Sequence, residues 1–335
     1  MKWIRTILFP VVPIYYLVTS LRNWLYDKGI KASEAYDFPV LCVGNLSVGG
    51  TGKTPVIEYL IRLLKADYQV ATLSRGYKRT SEGFLLADDS ATADTLGDEP
   101  FQFYNKFKTD IKVAVDANRQ RGIERLKALV NPDVVLLDDA FQHRKVKAGL
   151  NILLTVFDKL YVEDWMLPTG NLREPISGAK RAQIIVVTKC PSNLSEIQKN
   201  GIVEKLKIQA HQHVFFSHIS YSEKVYGREK ELELKQLVGK KLTLVTGIAN
   251  PIPFMEHLKN KGLEFEHLNF PDHHVFSVKD IKLLEKQELI LTTEKDYMRL
   301  KNQSRLDKSL FYLPIEFTID NASSFDTLIR KFLAT

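Results

Sequence analysis

Residues 47–54 read Ser-Val-Gly-Gly-Thr-Gly-Lys-Thr, a G-x-x-x-x-G-K-[ST] phosphate loop with serine at the first glycine position. Gly49, Gly50 and Gly52 let the backbone from Ser47 through Val48 and Thr51 turn its N–H groups toward a phosphate, at the start of a helix whose dipole favours anions. In such a loop Lys53 reaches the β- and γ-phosphates and the Thr54 hydroxyl faces Mg²⁺. A metal held there needs a carboxylate from a neighbouring strand tip, and Val134-Val-Leu-Leu-Asp138-Asp139 supplies two. One aspartate is expected on Mg²⁺, directly or through water, and the other is left for positioning or proton transfer. Guanine recognition calls for Asn/Thr-Lys-x-Asp after a late strand. Thr188-Lys189-Cys190-Pro191 has proline in place of that aspartate, which favours adenine or recognition of the base by backbone contacts.

These groups need a scaffold that brings strand tips together. Apolar runs at 40–43, 70–73, 113–115, 134–137, 152–157 and 184–188 lack polar alternation, so they are expected as strands of a parallel sheet covered on both faces. Helical spacing at 55–65 and 119–129 supplies covers. A second alternation follows: a strand at 242–245, a helix to Lys259, a strand around Phe265, a helix at 278–286 and a strand at 289–292. The expected fold class is α/β, a P-loop NTPase-like domain with a mostly parallel sheet plus a smaller α/β domain. The expected boundaries are an N-terminal amphipathic helix in 1–30, the P-loop domain in 31–218, a charge-rich connection at 219–240, and the smaller domain in 241–335. The last helix, 324–333, is left free to pack on either domain.

A length of 335 residues suits two domains, and 44% hydrophobic with 26% charged residues is a globular composition. Two cysteines, Cys42 and Cys190, exclude a disulfide scaffold and an all-cysteine zinc site. The net charge of +7 favours anionic partners. Residues 7–18 are mostly apolar but broken by Pro10 and Pro13, too short a run to span a bilayer, and no small-residue cleavage site follows. Leu17, Leu21, Trp24 and Leu25 share one helical face, which reads either as a helix in a membrane interface or as one packed on the protein's own core.

Six blocks in order carry a more specific signal: GNLSVGGTGKTP (44–55), LSRGYKR (73–79), GDEP (97–100), LLDDAFQHR (136–144), LPTGNLREP (167–175) and FPDHH (270–274). Together they resemble the tetraacyldisaccharide 4'-kinase family of lipid A biosynthesis, over Trp3 to about His274. The resemblance implies transfer of the γ-phosphoryl of ATP, with Mg²⁺, to the 4'-hydroxyl of a tetraacylated, singly phosphorylated glucosamine disaccharide. It implies a peripheral protein on the cytoplasmic face of the inner membrane that does not span it; no protein partner is implied, and no nucleic-acid partner is expected from the scattered basic residues. Asp98 matches the family's catalytic aspartate and His273 its histidine partner, an arrangement that would place catalysis in an interdomain cleft; the adjacent His274 leaves that register open by one residue. Asp139 joins them as a catalytic candidate. Glu174, Glu99 and Arg119 match positions lining the nucleotide and metal region, with Glu174 a candidate Mg²⁺ ligand. Arg75, Tyr77, Lys78, Gln142, His143 and Arg144 are candidates for the acceptor's phosphate or sugars. Ala140 stands where the family often has glycine, a change tolerated if the backbone there has negative φ.

Two other functions share the loop. A membrane-associated P-loop ATPase or GTPase switch needs no Asp98–His273 dyad, and a nucleic-acid-binding ATPase would need a basic run or recognisable module that the sequence lacks.

Overall fold

The computed structural model describes residues 8–228, 230–272 and 274–334. The chain divides into two compact units, one built from the chain up to Ile219 and again from Phe317, the other from Ser220–Glu316.

The larger unit is organised by one sheet. Its strands are β1 (Val40–Asn45), β2 (Val70–Ser74), β3 (Leu85–Leu86), β4 (Lys112–Val115), β5 (Val134–Asp138), β6 (Leu150–Val156), β7 (Ile184–Thr188) and β8 (His213–Tyr221), with β15 (Ile315–Ile319) at one edge. The order is β15-β8-β7-β6-β1-β5-β2-β4-β3. β1 pairs in parallel with β5 on one side and β6 on the other, while β3 pairs antiparallel with β4. β1 is therefore where the chain's progress along the sheet reverses, and in open α/β sheets ligands bind beyond the strand ends at that reversal.

Every residue of β1, β2, β5 and β7 is buried, as parallel strands covered on both faces must be. Leu41, Val43, Val134 and Leu136 point to one face. There they meet Val56, Ile57, Leu60 and Leu64 of α2 (Lys53–Leu64) and Phe325 and Ile329 of the last helix, Ala322–Leu333. Val40, Cys42, Val135 and Leu137 point to the other face, packing with Ile123 and Leu126 of the helix Arg119–Val130. The last helix thus belongs to the larger unit.

The smaller unit holds β9 (Lys224–Tyr226), β10 (Glu231–Glu233), β11 (Leu242–Thr246), β12 (Phe265–Asn269), β13 (Leu289–Thr293) and β14 (Leu310–Leu313), in the order β10-β9-β14-β13-β11-β12. β12, β11, β13 and β14 are parallel; β9 and β10 add an antiparallel edge. Two expected boundaries are corrected here. Residues 219–240 are not a connection, because Val225, Leu234 and Leu237 are buried in the smaller unit's core, and the smaller unit ends at Glu316, the chain from Phe317 returning to the larger unit with the last helix, which sequence alone leaves free to pack on either. Three-residue strands rich in charge do not stand out from a linker in sequence.

Near the N-terminus, α1 runs Val12–Asp27 with Pro13 in its first turn, where proline fits. Among the described residues, no helix is long and apolar enough to cross a membrane. The amphipathic pattern of α1 is inverted relative to a core helix. Asn23 is buried, while Ile14, Leu17, Val18, Leu21 and Trp24 are exposed.

Candidate functional site

The phosphate loop leaves β1 and enters α2 with Gly52 in the left-handed region (φ 86°) as the N-cap of α2. Its entry is fixed by the segment 171–173. The Val48 N–H donates to the Asn171 carbonyl (2.8 Å) and the Arg173 N–H to the Leu46 carbonyl (2.7 Å), while Asn45 Nδ2 donates to the Ser47 carbonyl (2.6 Å). The Val48 N–H is thereby committed to protein, which removes it from the expected set of phosphate donors. The space around the loop's next residues is open: a Cβ built on Gly49 or Gly50 meets no atom within 4 Å. The loop N–H groups of Thr51 and Gly52 have no acceptor among the described residues.

Beyond the end of β5, Asp138 and Asp139 differ sharply in environment. Asp139 has φ 48°, a conformation aspartate tolerates better than most residues. Its carboxylate meets Lys53 at 3.7 Å and Arg173 at 2.8 and 3.3 Å. Burial alone would raise its pKa, but Lys53 and Arg173 outweigh burial and hold it below the usual carboxylate range. Asp138 is buried, and burial raises its pKa to about 6 against the opposing pull of Lys53; Asp139 and Glu99 add to the rise. Ser74 at the tip of β2 lies 3.3 Å from Asp138 Oδ2, whereas Oδ1 is buried with no partner among the described residues. The left-handed residue in this turn is Asp139 and not Ala140, so alanine is accommodated.

An orphaned carboxylate oxygen beside a phosphate loop is the setting a Mg²⁺ ion fits, since Mg²⁺ prefers one or two carboxylates with substrate phosphates and waters over an all-protein cage. Among the described residues no cluster of three His, Cys, Asp or Glu side chains forms such a cage. Asp138 has the free carboxylate oxygen such an ion needs, and Thr54 remains the hydroxyl expected beside it. Glu174, expected from the resemblance as a further ligand, is corrected. Both its oxygens are occupied, Oε2 by Asn23 Nδ2 and Oε1 by Gln142 Nε2 and Arg181, each at 2.8 Å. It is a buried anchor for α1 and the loop after β5. The same network uses the Gln142 Nε2, which also donates to the Asn45 carbonyl (2.9 Å), while its Oε1 is buried with no partner among the described residues. The donor side of Gln142 is thus committed to protein and its acceptor side is not. Arg144 likewise binds the Asn23 carbonyl (2.9 Å) and Asp27 (2.6 Å) of α1.

Asp98 opens the helix Asp98–Phe107 immediately after Gly97 (φ 91°). A Cβ on Gly97 would lie 3.1 Å from the Tyr77 carbonyl and 3.3 Å from Gly76, so the turn carrying Arg75 and Tyr77 packs backbone against backbone on the turn carrying Asp98. From further along this helix, Gln102 and Lys106 both reach the buried Glu58 of α2, at 2.9 and 2.8 Å. The expected base is thus held on a helix braced against the phosphate-loop helix. Arg75 and Tyr77 are exposed. Arg119 is buried, donates to the carbonyls of Asp116 (2.7 Å) and Asp138 (3.3 Å), and leaves its Nε without a partner among the described residues. Desolvation lowers its pKa, with Asp138 and Asp139 opposing. His143 is pushed down to about 4, by burial first and then by Arg119, Lys145, Arg22 and Arg75.

His273 lies outside the described residues. His274 stacks on Phe270 (4.7 Å, 25°) and directs Nε2 to Asp280 Oδ2 at 3.0 Å, an oxygen that also accepts from the Ser277 N–H. Its ring is committed to holding this loop of the smaller unit. Arg173 and Asn45 are residues at this site to which the motifs assigned no role, and Thr188 and Lys189, whose motif bears only on base recognition, reach the phosphate loop instead. Arg173 and Asn45 were within reach because they sit in the quoted blocks LPTGNLREP and GNLSVGGTGKTP; Thr188 and Lys189 act through partners distant in sequence.

A family model described as tetraacyldisaccharide-1-P 4'-kinase matches residues 4–334. The tetraacyldisaccharide 4'-kinase of Flavobacterium johnsoniae is 55% identical over 338 residues, 99% of this chain and 98% of the relative. That of Bacteroides thetaiotaomicron is 45% identical over 342 residues, 95% and 89% of the two chains. Among solved structures, the "apo" form of LpxK from Aquifex aeolicus in complex with ATP superposes with a TM-score of 0.82 at 31% identity, covering 98% of this chain and 99% of that one.

Proposed function

The chain belongs to the tetraacyldisaccharide-1-P 4'-kinase family, and from that premise we propose that it transfers the γ-phosphoryl group of ATP to the 4'-hydroxyl of a tetraacylated glucosamine disaccharide 1-phosphate, a step of lipid A biosynthesis. The observation that carries the reading is the convergence on one sheet edge of an open phosphate loop, an ionised Asp139 paired with Lys53, and a buried Asp138 with an unpartnered oxygen.

The N–H groups of Thr51 and Gly52 and the Lys53 ammonium cradle the β- and γ-phosphates. Asp139 and Arg173 keep Lys53 in place before nucleotide arrives. Thr54 and Asp138 would hold Mg²⁺, which when bound would neutralise charge on the phosphates. Arg119 and the exposed Arg75 supply further positive charge. Asp98 takes the proton from the 4'-hydroxyl as its oxygen bonds to the γ-phosphorus and the bond to ADP breaks. His273 orients that carboxylate and shares its proton, an assignment supported by the family motif and by the commitment of His274 to Asp280. Glu99 raises the Asp138 pKa electrostatically, so it contributes to the field at the metal site. The exposed apolar face of α1 fits a protein that meets its acylated substrate at the surface of the inner membrane, on the side where ATP is available.

The test is incubation of purified protein with γ-labelled ATP, Mg²⁺ and detergent-dispersed disaccharide 1-phosphate. Label should appear in the lipid. Release of free phosphate with unmodified lipid would instead indicate a nucleotide-driven switch. Asp98→Asn and His273→Ala should each lower kcat by ~10²–10⁴-fold, the usual loss of a positioned base, while ATP binding persists; wild-type turnover in Asp98→Asn would sink the assignment.

A further inference from the structure

The segment after β7 resembles a base-reading motif whose last residue has been lost, yet it reaches the phosphate loop. Lys189 has φ 57°, a left-handed conformation that residues other than glycine seldom adopt. From it the ammonium donates to the Gly50 carbonyl at 2.6 Å. The preceding residue, Thr188, is buried, and its hydroxyl lies 2.8 Å from the Thr51 carbonyl and 3.2 Å from the Thr155 carbonyl. Two consecutive carbonyls of the loop are thus held from one side by two consecutive residues of another strand end.

A trans peptide is planar, with its C=O and N–H pointing in opposite directions. Holding the Gly50 carbonyl fixes the direction of the Thr51 N–H, and holding the Thr51 carbonyl fixes that of the Gly52 N–H. Both N–H groups lack acceptors among the described residues. In planar peptides they point away from the groups of Thr188 and Lys189 that hold the carbonyls. We propose that Thr188 and Lys189 are positioning residues that aim the Thr51 and Gly52 N–H groups at the nucleotide's phosphates. The inference rests on nucleotide binding by this loop and goes beyond it by assigning a role to the strand end. Gly49 and Gly50 give the loop wide backbone freedom. Without the clamp, those two peptides rotate and nucleotide binding must order them at the expense of affinity.

The experiment measures binding of ATP, ADP and adenosine to the full-length protein by calorimetry, with thermal unfolding of each nucleotide-free variant alongside. Lys189→Met keeps the stem and removes the donor. It should weaken ATP and ADP about 10- to 100-fold, the range for hydrogen bonds to a charged group, and leave adenosine within about twofold. Lys189→Arg should restore most of the loss, and Thr188→Val should weaken ATP about 5- to 10-fold. Because Lys189 is on the surface, its nucleotide-free unfolding midpoint should stay unchanged. Equal losses for adenosine and ATP would show a merely structural role, and unchanged ATP affinity in Lys189→Met beside a binding wild type would overturn the proposal. A wild type that binds no ATP would refute the nucleotide reading itself, a result distinguishable from the others.

Discussion

His143 shows how much one side chain is governed by its surroundings. It faces Arg119 from the helix over the sheet, Arg22 from α1, Lys145 from its own loop and Arg75 from the turn after β2, and burial adds to their effect. Its folded-state pKa of about 4 lies below the ordinary 6.5, so between those values the unfolded chain binds a proton that the folded chain refuses. Stability is therefore full above pH 6.5 and falls as pH drops toward 4. From pH 7 to pH 5 the loss from this group is at most about 2 kcal/mol, lessened by the solvent that screens a half-buried ring. His143→Gln, which cannot titrate, should show a pH dependence shallower than wild type by that amount in urea unfolding; parallel curves would mean that the imidazole is solvated. Lys53 was legible at this scale because its partners in the motif are contiguous. Lys189 was not, because its partner, Gly50, comes from a different strand end and no local pattern encodes the pairing.

At the scale of elements, α1 is tied to the loops that carry the chemistry. Asn23 bonds Glu174, Tyr15 Oη donates to the Arg173 carbonyl (2.9 Å) and Arg22 donates to the Gln142 carbonyl (2.8 Å). Glu174 is the hub. Glu174→Ala would leave Arg181 without its 2.8 Å carboxylate partner and the Asn23 and Gln142 amides each short of one acceptor, and breaking a buried charge pair in this way costs about 3–5 kcal/mol. Chemical unfolding should show a loss of that order. A variant of undiminished stability with weakened Mg²⁺-dependent nucleotide binding would return Glu174 to the metal site. The elements of the sheet were legible as apolar runs because both faces of a parallel strand are buried. The short strands Lys224–Tyr226 and Glu231–Glu233 were not, because three residues are too few to show a period.

For the whole molecule, the +7 charge and the inverted α1 act together. The polar side of α1 is consumed by the protein, so its apolar side has nothing of the chain to cover it among the described residues. Leu17 is 65% exposed, Leu21 58%, and Trp165, whose ring meets Phe9 edge-on at 5.8 Å, 61%. A membrane interface accepts such a face, and burying one leucine side chain is worth about 1.5–3 kcal/mol. Leu17→Asp with Leu21→Asp should therefore reduce partitioning onto anionic vesicles at least ~100-fold by that measure. The unfolding midpoint should hold, since neither side chain packs on the core. Added salt should weaken wild-type binding only in part, because screening reaches the basic residues and not the buried apolar area. Binding abolished by salt alone would assign attachment to charge and leave the exposed face of α1 without this role. Removing the whole helix would be a poorer test, since it would also take Asn23 from Glu174 and disturb the site it anchors.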